Sequence, residues 1–285
     1  MASKRWPVTL PFGDVTPVFG GAIVFAGPGS AVLGRVDIGP NAWIGPSAVV
    51  RADGHFVRIG REVFLGRGAT VHIAHEVYPA LIGDGVTAEA GAVIHACEIG
   101  DNVCLGRDVI VLDGSVIGPG AVLSAGSVVF PGTRLEGGWL YAGRPAKPVR
   151  HLSTGELVAY HAHAREAVLE AAQPETAWKT ASTDLFVAAT AHLSGEVVCG
   201  EGVGIWYGCR LDAGAARITI GTGSNVQDNA TLACSHAGIE IGADVTIGHN
   251  AKLADCRIGP RSLIGIGATI ADGVEIAEDV LLAAG

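Results

Sequence analysis

An aliphatic side chain recurs every six residues along most of this chain, usually followed by glycine or another small residue. A period of six fits neither the repeat of about 3.6 residues in a helix nor one long strand. It fits a short strand followed by a turn, with three such units closing one coil of a triangular prism. The aliphatic side chain then points into the prism, and glycine permits a tight corner. One uninterrupted run consists of Ile99, Leu105, Val111, Ile117, Leu123 and Val129.

The pattern therefore predicts an all-β fold of hexapeptide repeats. The alternative, an antiparallel sandwich, would need alternating strands and Asn-Gly hairpins, which the sequence lacks. The whole pattern occurs twice, because residues 50–102 align with residues 209–261. We predict two tandem parallel β-helices joined by a helical linker. The predicted boundaries are 1–150 for the first β-helix, 151–178 for the linker and 179–285 for the second.

The predicted linker contains the one segment of the chain that has the features of a helix. Ser153 or Thr154 suits the N-cap position, and the residues from Leu157 to Ala172 are strong helix formers that end before Pro174. A helix of this length can run back along the first prism, so that the second prism begins beside it and points the same way.

The composition excludes several classes of function. The net charge is −9 and no basic cluster is present, which argues against nucleic-acid binding. The first ten residues lack the apolar segment of a signal peptide, and no apolar run is long enough to span a bilayer. The six cysteines are scattered without a CxxC pair, which indicates buried side chains in a reducing compartment. We therefore expect a cytoplasmic protein.

Two histidines of the first copy should lie one above the other. Counting through two short loops places Val50, Val71 and Ile94 at the same corner of successive coils. Neighbouring coils are about 4.8 Å apart, and imidazoles at that spacing can bind one metal ion with bonds of about 2.0–2.1 Å. The residues that follow the three corner positions are Arg51, His72 and His95. A lone histidine is more often structural, but this stacked pair favours a pair of metal ligands.

The second copy lacks this pair and has a histidine elsewhere. Its residues at the equivalent corner are Asp212, Ala233 and Ala254. His249 is at a different corner, where the first copy has Ala90. Asn225, Gln227 and Asp228 share that corner with His249, and the first copy has Phe64, Gly66 and Arg67 in their places. Each copy has therefore lost the half of the site that the other keeps, which is what a site shared between unlike neighbours would leave.

At these motifs the chain resembles the γ-class carbonic anhydrases. The matching segments are the RADG segment with Arg51 and Asp53, the SNVQDN segment, His72, the VTIGHNA segment with His249, the IHACEIGDN segment with His95, and the closing AGRPAKPVR. The resemblance implies a left-handed parallel β-helix that associates side by side in trimers. It also implies a metal ion between two prisms, with two histidines from one prism and the third from its neighbour.

The resemblance implies reversible hydration of CO2 to bicarbonate by a metal-dependent lyase. The metal ligands would be His72, His95 and His249, and the ion would be Zn²⁺, with Fe²⁺ or Co²⁺ as alternatives. Gln227 would orient the reacting water, and Asn225 belongs to the same motif. The preferred role of Arg51 is an ion pair with Asp53 and Asp228 across the interface. Its second role would be to neutralise the charge of bicarbonate. His75 is a further candidate, as a proton shuttle.

The expected partners are CO2 and bicarbonate, further copies of this chain in trimer-like packing, and a related subunit as an additional option. A mixed ring of three prisms has at most one interface that joins the His72–His95 corner to a His249 corner. Two alternatives remain open at this point. One is a catalytically silent scaffold subunit, and the other is a hexapeptide acyltransferase, whose protruding loop this sequence does not show.

Overall fold

The computed structural model describes residues 7–166, 178–179 and 185–285. The chain divides into two compact units, Met1–Ala172 and Gln173–Gly285. The division falls inside the segment 151–178 that the sequence analysis assigns to the linker. Each described unit is a solenoid of short β-strands, and one short helix belongs to the first unit. The all-β hexapeptide-repeat fold is therefore confirmed.

The elements of the first unit are, in chain order, β1 (Val8–Leu10), β2 (Val18–Phe19), β3 (Ile23–Ala26), β4 (Ala31–Ile38), β5 (Ala42–Ile44), β6 (Val49–Ile59), β7 (Phe64–Leu65), β8 (Thr70–His72), β9 (Ala80–Ile82), β10 (Thr87–Ala88), β11 (Val93–His95), β12 (Glu98–Ile99), β13 (Cys104–Leu105), β14 (Ile110–Val111), β15 (Val116–Ile117), β16 (Val122–Leu123), β17 (Val128–Val129), β18 (Arg134–Leu135), β19 (Trp139–Ala142), β20 (Lys147–His151) and α1 (Thr154–Glu166). Those of the second unit are β21 (Trp178–Lys179), β22 (Leu185–Val187), β23 (His192–Cys199), β24 (Val203–Ile205), β25 (Arg210–Ile220), β26 (Asn225–Val226), β27 (Thr231–Ala233), β28 (Ile239–Ile241), β29 (Thr246–Ile247), β30 (Lys252–Ala254), β31 (Arg257–Ile258), β32 (Leu263–Ile264), β33 (Thr269–Ile270), β34 (Glu275–Ile276) and β35 (Leu281–Leu282).

Each coil contributes one strand to each of three faces. In the first unit, β8, β11, β14 and β17 stack on one face, and β9, β12, β15 and β18 stack on the next. The long strand β6 turns the corner between these two faces and joins them in one sheet. The third face is an eight-stranded sheet that runs from β3 to β20. Among the described strands every ladder is parallel except the pairing of β19 with β20.

The aliphatic residues form vertical columns inside each prism. Val50 pairs with Val71, Val71 with Ile94, Ile94 with Val111, and Val111 with Val129. Each member of this column is at most 1% exposed, and full burial of such a side chain contributes about 1.5–3 kcal/mol. In the second unit Leu211, Leu232, Leu253 and Ile270 form the equivalent column. These registers confirm the corner count made from the sequence.

Glycine follows the aliphatic residue at many corners because neighbouring coils approach too closely for a side chain. Gly66, after Leu65, shows the reason. A Cβ atom added there would lie 2.7 Å from the backbone nitrogen of Ala90 on the next coil. Real Cβ atoms do not approach other atoms this closely, so any other residue at this corner would push the two coils apart.

Helix α1 begins with a capping box. The hydroxyl of Ser153 accepts a hydrogen bond from the backbone N–H of Glu156 at 3.3 Å, and the Glu156 carboxylate accepts one from the Ser153 N–H at 2.9 Å. Ser153, one of the two N-cap candidates of the sequence, is therefore the N-cap, and α1 ends at Glu166 in the described part of the chain. The remainder of the predicted helix, residues 167–172, lies outside the described residues.

Helix α1 packs on the third face of the first unit. Ala164 is buried against Cys104 of β13 and Val122 of β16. At the C-terminal end of the helix, Nδ1 of His161 lies 2.8 Å from the Thr87 hydroxyl, and Nε of Arg165 donates to the same oxygen at 3.0 Å. The buried Ala164 and the polar side chains at one end therefore attach the helix to the sheet.

All six cysteines are thiols rather than disulfides, and five of them are buried. Cys97 and Cys256 belong to the cores of the first and second units, respectively. Burial raises the pKa of Cys104 to about 12, so this thiol stays protonated at neutral pH. Within the described ranges, no helix has both the length and the apolar character needed to cross a membrane.

Candidate metal centre

His72 and His95 occupy equivalent positions on adjacent coils of the first unit. Strands β8 and β11 are parallel neighbours, and their register pairs His72 directly with His95. Nδ1 of His72 lies 3.1 Å from Nε2 of His95, and the two rings are tilted by 50°. Both side chains are largely buried, with 12% and 13% of their surface exposed. The predicted stacking of the two imidazoles is therefore present.

A carboxylate faces the outer nitrogen of each ring. Nε2 of His72 lies 3.0 Å from Oδ1 of Asp53, and Nδ1 of His95 lies 2.5 Å from Oδ1 of Asp113. An ionised carboxylate can only accept, so each of these ring nitrogens carries the proton in the neutral imidazole. The lone pairs of His72 Nδ1 and His95 Nε2 then point towards each other.

This donor set fits a divalent metal ion. Two nitrogens bound tetrahedrally to one Zn²⁺, at bond lengths of about 2.0–2.1 Å, are about 3.3 Å apart. The observed separation of 3.1 Å between His72 Nδ1 and His95 Nε2 is close to that value. Carboxylates on the outer nitrogens are also the usual second layer around a histidine-bound metal. The first unit therefore offers two ligands of a metal site.

Arg51 lies beside this pair and contacts Asp53. The guanidinium forms an ion pair with the Asp53 carboxylate, and only 5% of the Arg51 side chain is exposed. Burial alone would raise the pKa of Asp53, but the hydrogen bond with His72 and the positive charge of Arg51 together lower it to about 2. Asp53 is thus ionised at neutral pH. Its oxygens link Arg51 to His72 within one unit. The expected pairing of Arg51 with Asp228 across an interface stays a prediction.

Asp113 was missed by the sequence analysis. Burial would raise its pKa, but the hydrogen bond and the charge interaction with His95 lower it. The sequence does contain an indication, because Asp113 follows the corner position Val111 by two residues on the coil after His95. The predicted ligands lie one residue after the corner, whereas this carboxylate is two residues after it.

In the second unit, Asp228 and His249 form a buried pair. Oδ1 of Asp228 accepts the backbone N–H of Tyr207 at 3.0 Å, and Oδ2 lies 3.2 Å from Nδ1 of His249. The side chains of Asp228 and His249 are 0% and 1% exposed. Nδ1 lies beside the carboxylate at ion-pair distance without the geometry of a hydrogen bond, so Nε2 is the nitrogen of His249 that is left to bind a metal ion.

Two other predicted residues flank Asp228. The amide nitrogen of Asn225 donates to the Thr246 hydroxyl at 3.0 Å. Gln227 is half-buried, and its backbone N–H donates to Ile247 at 2.9 Å. Strands β26 and β29 pair Val226 with Ile247, which places this segment and His249 at the same corner of successive coils.

The structure also shows which residues replace the missing half of the site in each unit. In the second unit the register pairs Asp212 with Ala233 and Ala233 with Ala254, where the first unit has Arg51, His72 and His95. In the first unit, Phe64 replaces Asn225 and stacks on Trp43, with their ring centroids 5.5 Å apart. Neither unit therefore contains three imidazoles at one corner among its described residues.

A second group of possible ligands lies in the second unit. His236, Asp255 and Asp272 each offer an atom within 4.8 Å of the others. The Asp255 carboxylate, however, accepts hydrogen bonds from the backbone N–H groups of four successive residues, Ser235 to Gly238. The Asp255 carboxylate therefore has a structural role, because it stabilises the tight loop that these four residues form.

The comparisons with known proteins agree on the repeat. The model described as "Bacterial transferase hexapeptide (six repeats)" matches residues 96–131, and "Hexapeptide repeat of succinyl-transferase" matches residues 56–96 and 256–285. Such repeats form the left-handed β-helix that the resemblance implies. A solved hexapeptide transferase family protein from Anaplasma phagocytophilum is 30% identical, with a TM-score of 0.50 over 56% of this chain and 93% of that chain.

Two curated relatives differ in how much of their length is matched. Gamma carbonic anhydrase 2, mitochondrial, of Arabidopsis thaliana is 38% identical over 109 residues, which are 36% of this chain and 39% of the relative. This chain thus spans about two fifths of that relative's length. Protein YrdA of Escherichia coli (strain K12) is 34% identical over 155 residues, which are 52% of this chain and 84% of YrdA. Taken with the repeat, this match shows that the chain belongs to the hexapeptide-repeat transferase family.

Proposed function

We propose that this protein catalyses the reversible hydration of CO2 to bicarbonate at a metal site shared by two unlike β-helices. His72 and His95 of a first β-helix would supply two ligands, and His249 of a second β-helix would supply the third. The observation that carries the proposal is the 3.1 Å approach of two imidazole nitrogens whose outer nitrogens both face carboxylates. The likeness to a plant γ-carbonic anhydrase supports the same reaction.

The three histidines have the same chemical surroundings, although they come from different units. Asp53 faces His72, Asp113 faces His95, and Asp228 faces His249, at 2.5–3.2 Å. Asp53 and Asp113 orient the neutral rings of His72 and His95 by hydrogen bonds, and Asp228 lies beside Nδ1 of His249, so that each ring keeps one nitrogen for the ion. Three neutral imidazoles suit Zn²⁺, with Fe²⁺ or Co²⁺ as alternatives, and such an ion supplies the Lewis acidity that makes water a nucleophile near neutral pH.

The remaining predicted residues have distinct roles in this proposal. The half-buried Gln227 orients the reacting water through its side-chain amide, and Asn225 braces the same segment through Thr246. Arg51 is held by Asp53, so its first role is to keep that carboxylate ionised and aimed at His72. The positive charge of Arg51 also favours the bicarbonate anion in the site.

The proposal includes the arrangement of the particle. The tandem β-helices would pack side by side in rings of three, as the resemblance implies, and copies of this chain would supply the neighbours. Only an interface between a first and a second β-helix can hold three histidines. A mixed ring has at most one such interface, so we expect about one metal ion for each ring of three prisms.

The test is metal content together with CO2 hydration. The purified protein should contain a divalent ion below one per β-helix, and removal of the ion with a chelator should abolish hydration. His249→Ala should lose both metal and activity, whereas His236→Ala, an exposed histidine of the same unit, should keep both. Absence of a divalent ion in the purified wild-type protein, or full activity of His249→Ala, would refute the proposal.

A transferase is the second candidate, because a solved hexapeptide transferase family protein shares this fold at 30% identity. An acyltransferase would bind an acyl-CoA, and isothermal titration with acetyl-CoA distinguishes the two activities. Saturable binding with no metal in the protein would favour the transferase. Absence of both metal and acyl-CoA binding would favour the scaffold.

A further inference from the structure

We propose that Asp113 is the positioning residue for His95, fixing which nitrogen of that ring faces the metal. The inference rests on the proposed function, and it adds a residue that no sequence motif marks. Asp113 lies on the coil after His95, just beyond the end of β14, and its Oδ1 is 2.5 Å from His95 Nδ1.

The geometry sets the tautomer of His95. The Asp113 carboxylate accepts the proton of Nδ1, so the lone pair of the neutral ring resides on Nε2. Nε2 is the nitrogen that lies 3.1 Å from Nδ1 of His72. If the proton moved to Nε2, it would occupy the space between the two rings and block the ion. A carboxylate at this position therefore prepares the ring before any metal binds.

The second unit provides an internal comparison. Ile94 pairs with Val111 in the first unit, and Leu253 pairs with Ile270 in the second. The residue two positions further along is Asp113 in one unit and Asp272 in the other. Both units thus have an aspartate at the same register.

Only the first of these aspartates faces a histidine of the proposed metal centre. Ala254 stands where the first unit has His95, and Oδ2 of Asp272 lies instead 3.4 Å from Nε2 of the exposed His236. The two aspartates have comparable exposure, 40% for the Asp113 side chain and 54% for Asp272. Asp272 is therefore a matched control, with the same residue type and register but no histidine of the proposed metal centre to orient.

The experiment compares Asp113→Ala with Asp272→Ala in the full chain. The zinc dissociation constant is measured by competition with a chromophoric chelator. Loss of the second layer around a metal ligand weakens binding about 10- to 100-fold. We expect this loss for Asp113→Ala, wild-type affinity for Asp272→Ala, and partial recovery for Asp113→Asn, which retains an acceptor oxygen. Equal affinities for wild type and Asp113→Ala, or equal losses in the two alanine variants, would overturn the inference.

A measurement without metal separates this inference from the proposed function. In the metal-free wild-type protein labelled with ¹⁵N-histidine, His95 should show a protonated Nδ1, and in Asp113→Ala the Nε2 tautomer should gain population. The thermal midpoint of the metal-free variant, measured alongside, should stay near the wild-type value because Asp113 is partly exposed. A wild-type tautomer in Asp113→Ala would overturn the positioning role even if zinc binds, whereas a shifted tautomer in a protein that binds no zinc would refute only the metal-dependent reaction.

Discussion

Replacing His249 with asparagine separates the two roles that the proposed site gives to its ring nitrogens. The asparagine amide nitrogen can take the place of Nδ1, which lies 3.2 Å from Oδ2 of Asp228, while Nε2 is removed. This choice matters because both residues are buried, and breaking a buried pair outright can cost about 3–5 kcal/mol. The variant therefore tests the metal ligand without first disrupting the corner.

The two contributions to stability differ in size. The smaller side chain leaves roughly 40 Å³ unfilled, which costs about 1 kcal/mol at about 24 cal/mol per Å³. At about 2–4 °C per kcal/mol, the Tm of the metal-free variant should fall by about 2–4 °C. Zinc at about 100 times its Kd stabilises the wild type by about 2.7 kcal/mol, a rise in Tm of about 5–11 °C. Without Nε2, the variant should show almost none of this rise.

The assay is thermal unfolding with and without zinc, for the wild type, His249→Asn and the control His236→Asn. His236 is an exposed histidine of the same unit, so its variant should keep the full zinc-dependent rise. Zinc raising the Tm of His249→Asn as much as that of the wild type would refute the assignment of His249 as a ligand. A large fall in the metal-free variant alone would show that the amide does not replace Nδ1.

Three further predictions concern the repeat and helix α1. Ser153→Ala removes the N-cap acceptor and should cost about 1 kcal/mol, seen as faster amide exchange in α1; unchanged exchange would contradict the capping role. Burial lowers the pKa of His161 below its ordinary 6.5, opposed by the hydrogen bond to Asn102 and assisted by the charge of Arg165. The stabilisation of the docked helix by neutral His161 is therefore present above pH 6.5 and is lost as the pH falls below it. Proteolysis of α1 should therefore be faster at pH 5.5 than at pH 7.5, and equal or slower cleavage of α1 at pH 5.5 would contradict this. Gly66→Ala should destabilise the first unit by about 1–3 kcal/mol in denaturant unfolding, whereas Gly155→Ala, where an added Cβ meets nothing within 4 Å, should not; equal effects would refute the close-approach argument.

The fold could be predicted from the sequence because the period of six is a backbone property. Each coil places its aliphatic residue in the same column, so counting residues was enough to align Val71 with Ile94 and His72 with His95. The loops did not disturb this count, since they bulge at a corner and leave the register intact. The N-cap at Ser153 was predictable for a similar reason, because the Ser-x-x-Glu pattern is local.

The surroundings of the histidines could not be predicted in the same way. Asp113 contacts a ring on the preceding coil, at a separation of 18 residues, and its position two residues after a corner is shared by Asp272, which faces no histidine of the proposed centre. The contact between Asp53 and His72 was likewise not predicted, because the period of six does not fix side-chain directions within the long strand β6. The period of six therefore predicts the positions of the ligands, whereas the positions of the carboxylates beside them depend on the three-dimensional geometry.

The central claim is that one metal ion is bound by imidazoles from two different β-helices. Anomalous diffraction at the zinc absorption edge, from crystals of the full chain grown with zinc, tests it most directly. We predict one peak with three imidazole nitrogens at about 2.0–2.1 Å, from His72, His95 and His249. A zinc peak at His72 and His95 that is far from His249 of every neighbouring β-helix would contradict the shared site. Absence of a zinc peak near His72, His95 and His249 would contradict it as well.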